Sequence, residues 1–159
     1  SRGVHFTDCT VAGVNTYREG MPKDVLRNDG LTFRDGSSFS VVRCSFADFG
    51  HYAVNFGGLE PGDVAVVVDS FCRNRLHAGF GGFKCGGRVI YVRNTMVQTA
   101  AQELQTTHGG NSPSLRATEA EQVVLIENRT LSDRLSLHVQ DCGEVVDQGN
   151  EWGSELMVI

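Results

Sequence analysis

The residues best suited to acid–base chemistry in this sequence are His77, His138, Glu103 and Lys84. Imidazole titrates closer to neutral pH than other side chains, and a carboxylate or an amine can exchange a proton when its surroundings shift its pKa. Each of the four lies in or beside a short segment in which apolar and polar residues alternate. We treat them as candidate catalytic residues, the alternative being that they only make an exposed strand face polar.

Five other polar residues of the same segments could bind a ligand that is rich in hydroxyl groups. Guanidinium, imidazole and amide groups all form hydrogen bonds with such ligands. In a strand with one buried face, alternate residues face outward. The outward set, taken as candidate substrate-binding residues, is Arg34, His51, Asn55, Gln105 and His108.

Composition and motifs argue against several other kinds of site. Hydrolysis of a glycoside normally needs two carboxylates at a defined separation, and only Glu103 is well placed for this. The net charge of −5 argues against nucleic-acid binding, and no apolar run is long enough for a membrane-spanning helix. The five cysteines include no Cys-x-x-Cys pair, so we expect no metal site, and no motif indicates a cofactor.

An internal repeat supplies the elements that must position these residues. Similar eight-residue segments begin at Phe39, Val64 and Val89, each 25 residues after the one before. Every copy has a β-branched apolar run, then a small polar residue, then a large apolar residue such as Phe46. A fixed period in this range is typical of solenoid proteins, in which each copy stacks on the next. Further copies begin at Val4, Val123 and Val145.

The position two residues before the large apolar residue is small or polar in nearly every copy. Asn and Asp tolerate the left-handed conformation of a sharp bend and can hydrogen-bond between stacked coils. The pattern therefore predicts a buried side-chain ladder at a bend. Its members would be Cys9, Cys44, Asp69, Asn94, Asn128 or Arg129, and Asn150.

These repeats resemble those of the right-handed parallel β-helix family, the pectin-lyase-like superfamily. The resemblance is carried by Asp29-Gly-Leu-Thr-Phe, Val42-Arg-Cys-Ser-Phe46 and Val67-Val-Asp-Ser-Phe71. It implies an all-β fold, a single-stranded right-handed parallel β-helix of about six rungs. It also implies that a polysaccharide lies along one face of the stack, as in tailspike-type and polysaccharide-processing proteins.

The predicted domain is a single β-helix over 1–159, with a groove on one face. We expect it to be part of a longer chain, because the sequence begins inside a repeat. Two long loops, 13–29 and 108–121, should rise on opposite sides of the groove, since loops of this length are often functional. The floor would consist of the strands 30–34, 51–56, 76–80, 103–107 and 135–139.

Three functions fit this interpretation. The first is a polysaccharide-recognising domain of a larger extracellular or virion protein, such as a phage tailspike or an adhesin. The second is an enzyme, a polysaccharide lyase, an epimerase or a glycoside hydrolase, and the third is a structural spacer. The expected partners are a polysaccharide or other glycan and either further copies of the chain or capping domains. Neither nucleic acid nor a membrane span is expected.

Overall fold

The chain forms short β-strands and no helix in the residues that the computed structural model describes, which are 3–13, 29–34, 37–49, 51–74, 79–98, 113–131 and 135–159. The β-branched runs of the repeats become these strands, and polar or glycine-containing segments join them. In chain order the strands are β1 (Val4–Thr7), β2 (Thr10–Ala12), β3 (Leu31–Phe33), β4 (Phe39–Val42), β5 (Ser45–Ala47), β6 (Val54–Gly57), β7 (Val64–Val68), β8 (Phe71–Asn74), β9 (Phe80–Phe83), β10 (Arg88–Val92), β11 (Thr95–Gln98), β12 (Leu115–Thr118), β13 (Gln122–Ile126), β14 (Arg129–Leu131), β15 (Leu137–Gln140), β16 (Glu144–Gln148) and β17 (Leu156–Val158).

The strands form three parallel sheets that the chain visits in turn. Sheet A has the order β1-β4-β7-β10-β13-β16, sheet B the order β2-β5-β8-β11-β14, and sheet C the order β3-β6-β9-β12-β15-β17. One passage through A, B and C makes a rung, so the stack has six rungs. In the sixth rung, Glu151 bridges to Arg129 where the earlier rungs have a sheet B strand. This architecture confirms the predicted all-β parallel β-helix solenoid.

The core runs along the axis of the stack and is lined by the inward residues of all three sheets. Phe39, Tyr91, Phe80 and Leu115 are among its largest fully buried side chains. Because each rung contributes equivalent positions, the pattern of buried residues repeats from rung to rung. This stacking explains the repeat in the sequence.

The register between the second, third and fourth rungs differs from the predicted one. Phe39 pairs with Ala65, and Val64 pairs with Arg88, so successive strands are offset by 26 and then 24 residues, not 25 and 25. Phe71 therefore points outward and is 42% exposed, while Cys72 takes the inward position between Phe46 and Met96. The 25-residue repeat aligns Phe71 with Phe46 and therefore predicts an inward Phe71, and this prediction was wrong.

The fifth rung shows the same kind of shift. Met96 pairs with Thr130, and Leu131 is 45% exposed. The inward residue of this strand is therefore Thr130, whose hydroxyl donates a hydrogen bond to Ser136 Oγ at 2.7 Å. A buried hydroxyl can replace an apolar residue here because it has a partner.

The predicted ladder exists, with one member corrected. Its third position is Ser70, not Asp69. The Asn94 Oδ1 atom accepts a hydrogen bond from the Ser70 backbone N–H at 3.0 Å, and Asn94 Nδ2 donates to Asn128 Oδ1 at 3.0 Å. Asn128 Nδ2 in turn donates to Asn150 Oδ1 at 2.9 Å. Each amide thereby satisfies backbone groups that the bend between sheets A and B would otherwise leave unpaired.

The residue before each ladder position has a positive φ, between 50° and 65°, in all six rungs. These residues form a column, the corner column, along the edge between sheets A and B: Asp8, Arg43, Asp69, Arg93, Glu127 and Gly149. The signs of its charges alternate from rung to rung. Arg43 forms a two-pronged ion pair with Asp8, both contacts at 2.7 Å, and Arg93 forms one with Asp69 at 2.7 and 2.9 Å.

The fourth strand of sheet C is β12, not the predicted segment 103–107. Strand β12 pairs with β9 and β15, and it lies inside the predicted loop 108–121. Both long connections consequently join sheet B to sheet C, in the first and fourth rungs. The two predicted walls fall mainly on residues 14–28 and 99–112, which lie outside the described residues.

Candidate functional site

Five of the nine predicted site residues fall in the part of the chain that the structure describes. Arg34, His51, Asn55 and His138 lie on or beside the outer face of sheet C, and Lys84 lies at its far edge. The other predicted residues, His77, Glu103, Gln105 and His108, lie outside the described residues.

The outer face of sheet C carries one central row of outward side chains. The strand register places these residues one above the other along the stack, on neighbouring strands about 4.8 Å apart. The row consists of Thr32, Asn55, Gly81, Arg116, His138 and Met157. Sequence analysis found Asn55 and His138 but missed Arg116, because it placed the fourth strand twelve residues too early.

Asp29 and the groups that contact its carboxylate form a cluster in the first two rungs of this face. The Asp29 Oδ1 atom lies 2.6 Å from His51 Nδ1 and accepts the Tyr52 backbone N–H at 3.0 Å. Its Oδ2 atom accepts from Asn55 Nδ2 at 2.7 Å. The cluster draws Asn55 in, so that it is only 7% exposed and not the solvent-facing residue expected from alternation.

Asp29 is held as a carboxylate by these contacts. Burial acts to raise its pKa, but the hydrogen bonds from His51, Asn55 and the Tyr52 backbone, together with the His51 charge, hold the pKa below its ordinary value of 3.8. A carboxylate that contacts an imidazole at 2.6 Å fixes the orientation of the ring. The sequence pointed to Asp29 only as the first residue of the Asp29-Gly-Leu-Thr-Phe motif and gave it no functional role.

Tyr52 joins this cluster to the rungs above. Its ring lies over Gly81 on the next strand, where even a Cβ atom would collide with it. The ring also packs edge-on against Phe83, with centroids 5.3 Å apart. Burial raises the pKa of the Tyr52 phenol, and the nearby Arg116 guanidinium partly opposes that shift. Gly81 thus makes room for an aromatic ring that lies across the outside of the sheet.

Arg116 and His138 form the second half of the site. The guanidinium carbon of Arg116 lies 4.5 Å from the centre of the Phe83 ring. Its Nε atom and the Nε2 atom of His138 are both buried and have no hydrogen-bond partner among the described residues. Burial and the neighbouring Arg116 charge lower the pKa of His138 below 6.5, while a hydrogen bond with Gln140 opposes this. Buried polar atoms normally have partners, so a ligand that drew these two side chains outward would supply partners that the fold does not.

Lys84 is exposed at the bend between sheets C and A, with a φ of 52°. Its backbone N–H donates to Thr118 Oγ1 at 3.0 Å. This hydrogen bond fixes the backbone of the bend and does not fix the position of the ammonium group. Arg34 is exposed in the first rung, at the same edge of the sheet. Both lie at the rim of the site.

We call Asp29, His51, Tyr52, Asn55, Arg116 and His138 the polar strip. It contains a carboxylate, two imidazoles, an amide, a phenol and a guanidinium, and it runs along the stack from the first to the fifth rung. In the described residues, no group of three or more His, Cys, Asp or Glu side chains could hold a metal ion. No helix in that part of the chain is long and apolar enough to cross a membrane.

Comparison with known proteins gave no relatives. No family model matches the chain, no curated protein matches it, and no solved structure matches it. The fold and the polar strip are therefore the basis for any functional conclusion.

Proposed function

We propose that the outer face of sheet C recognises a polysaccharide, which lies along the stack over the polar strip. The observation that carries the proposal is a pair of buried atoms, Arg116 Nε and His138 Nε2, on neighbouring strands of one outward row. Neither has a partner in the part of the chain that the structure describes. A sugar hydroxyl or acid group that drew these side chains outward would give both atoms partners, and an unsatisfied buried polar group costs about 1–3 kcal/mol.

The regular spacing of the strip favours an extended ligand over a compact one. Polar groups recur along the axis in four of the first five rungs, at Asp29, at His51 and Asn55, at Arg116 and at His138. A chain of repeating units can meet such a row at several points with similar chemistry. Hydroxyl groups suit it because they both donate and accept hydrogen bonds.

The contact between Asp29 and His51 favours an enzyme as the second candidate. A carboxylate at 2.6 Å from Nδ1 orients the imidazole, and an oriented imidazole is the side chain most often used for proton transfer. Arg116, which is partly exposed, is the neighbouring charged group that a reacting sugar would meet. In this alternative the chain is a polysaccharide lyase or epimerase, with His51 as its acid–base group.

A panel of neutral and acidic polysaccharides tests both candidates. Binding is measured by calorimetry, and each mixture is assayed for new unsaturated and new reducing ends. We expect Arg116→Ala and His138→Ala each to weaken binding by about 10- to 100-fold, the equivalent of one lost hydrogen bond to a charged or buried group. The matched control is Arg73→Ala, an exposed arginine of sheet B, which should leave binding unchanged.

The outcomes separate the three functions. Binding without new chain ends, and without a change in sugar configuration when the mixture is followed by NMR, supports recognition alone. New chain ends that disappear in His51→Ala, while binding persists, support the enzyme. A chain that binds no member of the panel, or that binds equally well after Arg116→Ala and His138→Ala, contradicts the proposed site, and a spacer then remains.

A further inference from the structure

The outer face of sheet A is apolar, unlike that of sheet C. In an isolated stack, outward positions should be polar, yet here both central outward columns consist of β-branched apolar residues through the middle rungs. All are partly exposed. This apolar face consists of Val42, Val66, Val68, Ile90, Val92, Val124, Ile126 and Val146.

The apolar face is continuous and has a polar boundary. The strand register places Val66 beside Ile90 and Val68 beside Val92, so the side chains touch along the stack. In the first rung the patch ends at the polar residue His5, whose Nδ1 lies 2.8 Å from Ser40 Oγ. The last rung ends it with Gln148, and the corner column runs along one side. Contiguous apolar patches with polar rims are characteristic of protein–protein contacts.

We propose that this face binds the same face of a second copy of the chain, with the two stacks antiparallel. In a two-fold arrangement in which all six rungs overlap, the first rung of one copy faces the sixth rung of the other, and the third faces the fourth. Val66 then faces the partner's Ile90, and Val68 faces the partner's Val92. Apolar residues meet apolar residues throughout the middle rungs, as an isologous interface requires.

The corner column supports this arrangement independently. Its signs alternate, and the number of rungs is even, so the reversal that overlaps all six rungs brings opposite charges together. Arg43 faces the partner's Glu127, and Asp69 faces the partner's Arg93, while Asp8 meets the uncharged Gly149. A shift by one rung would place like charges opposite one another, which disfavours other registers.

The size of the face sets the expected affinity. Six strands about 4.8 Å apart and about five residues long cover about 400 Å² on each copy. Two such faces bury about 800 Å², less than the 1,200–2,000 Å² of standard interfaces, before the rims are counted. The dimer should therefore form reversibly. Neither long connection begins or ends at sheet A, since both join sheet B to sheet C.

Sedimentation over a concentration series tests the proposal. The unmodified chain should change reversibly from monomer to dimer as its concentration rises. Val68→Lys places a charge at the centre of the apolar face and should raise the dissociation constant at least about 100-fold, because a buried unpaired charge is strongly unfavourable. The matched control is Leu131→Lys, which changes an exposed leucine of sheet B and should leave the dissociation constant unchanged.

A charge exchange tests the antiparallel register. Arg43→Glu and Glu127→Arg should each weaken the dimer about 10-fold, because each places like charges opposite one another. An equimolar mixture of the two variants should dimerise as well as the unmodified chain, since the mixed dimer restores two opposite-charge pairs. Denaturant melts of each variant establish that it is folded.

Three results would overturn the proposal. One is a monomer at every concentration, which would leave the face to a different partner. Another is a dimer that Val68→Lys does not weaken, or that an end-rung change such as Val158→Lys weakens instead. The third is a mixture of Arg43→Glu and Glu127→Arg that dimerises no better than either variant alone.

Discussion

At the scale of single residues, the sequence indicated the ladder better than the site. Asn94, Asn128 and Asn150 recur at a fixed place in the repeat, so their role could be predicted from spacing. Asp29 and Arg116 could not, because Asp29 lies in an ordinary turn and Arg116 depends on which segment becomes the fourth strand. Recurrence reveals what stacking requires, whereas the site depends on residues that occur once.

Replacing Asn94 by Leu should destabilise the fold by about 2–4 kcal/mol. Asn94 is fully buried, accepts from the Ser70 N–H, and donates to Val67 O at 2.8 Å and to Asn128. Leucine cannot make these bonds, and each buried group left unpaired costs about 1–3 kcal/mol. Denaturant melts measure the free energy of unfolding. The control is Thr95→Leu, at the neighbouring outward position, which should change the free energy of unfolding by no more than about 0.5 kcal/mol. Equal effects of the two changes would contradict the ladder.

Asp29 should make stability depend on pH under acidic conditions. The folded state lowers its pKa below 3.8, so the folded chain binds fewer protons than the unfolded chain as the pH falls towards that value. Its stabilising contribution is present above about pH 4 and is lost as the pH falls through the lowered, folded-state pKa. Asp29→Asn should therefore reduce the fall in unfolding free energy between about pH 6 and pH 3.

The acid dependence has an internal control in Asn55→Ala. That change removes one hydrogen bond to Asp29 and should reduce the pH dependence less than Asp29→Asn does. Melts at each pH provide the comparison. If the unfolding free energy of Asp29→Asn falls with pH as steeply as that of the unmodified chain, the cluster does not lower the pKa of Asp29.

At the scale of elements, the bends between sheets A and B explain both the success and the error of the sequence analysis. Each bend consists of one left-handed residue followed by the inward ladder residue. Asp69 fits the left-handed position as well as it fits a ladder, because Asp tolerates positive φ. The sequence therefore allowed two registers, and the burial of Cys72 and Ser70 decides between them. A one-residue shift reverses which side chains are inward, as Phe71 shows.

Glu127 provides a test of the bend itself. Its φ is 52°, and its side chain is exposed. Glu127→Val should destabilise the chain by about 1–2 kcal/mol, because a β-branched side chain clashes with the backbone in this conformation. Glu127→Asn removes the same charge but tolerates the conformation, so it should be nearly neutral. Equal losses in the two variants, measured by denaturant melts, would show that the charge matters and not the backbone.

At the scale of the whole molecule, the outer faces of sheets A and C differ in chemistry. Sheet C carries the polar strip, and sheet A carries the apolar face. The fold class followed from the period alone, because only stacked coils require the same pattern every 22 to 35 residues. Which outer face was functional did not follow, since outward residues are not fixed by stacking. The fourth strand of the predicted groove floor was misplaced, because the sequence does not show where β12 begins.

Amide exchange should report the position of each rung in the stack. Strands β7 and β10 have hydrogen-bonded neighbours on both sides, whereas β1 and β16 have one each, and Val4 and Val145 are exposed. Local opening costs less where fewer contacts are lost. We expect the slowest exchange in β7 and β10 and the fastest in β1, β16 and β17. Uniform exchange rates in all six rungs would indicate a single cooperative unit.

The strand order of the three sheets also fixes how the chain would respond to mechanical force. In every sheet the strands follow one another in chain order, so the first and last strands lie at opposite ends of the stack. A force applied to the two chain ends therefore pulls along the hydrogen bonds between rungs, which break one strand pair after another and do not share the load. Stretching should release the chain in successive steps of 19 to 35 residues, the offsets between paired strands. The protein would then act as an extensible tether that lengthens at low force and re-forms rung by rung when the load is removed.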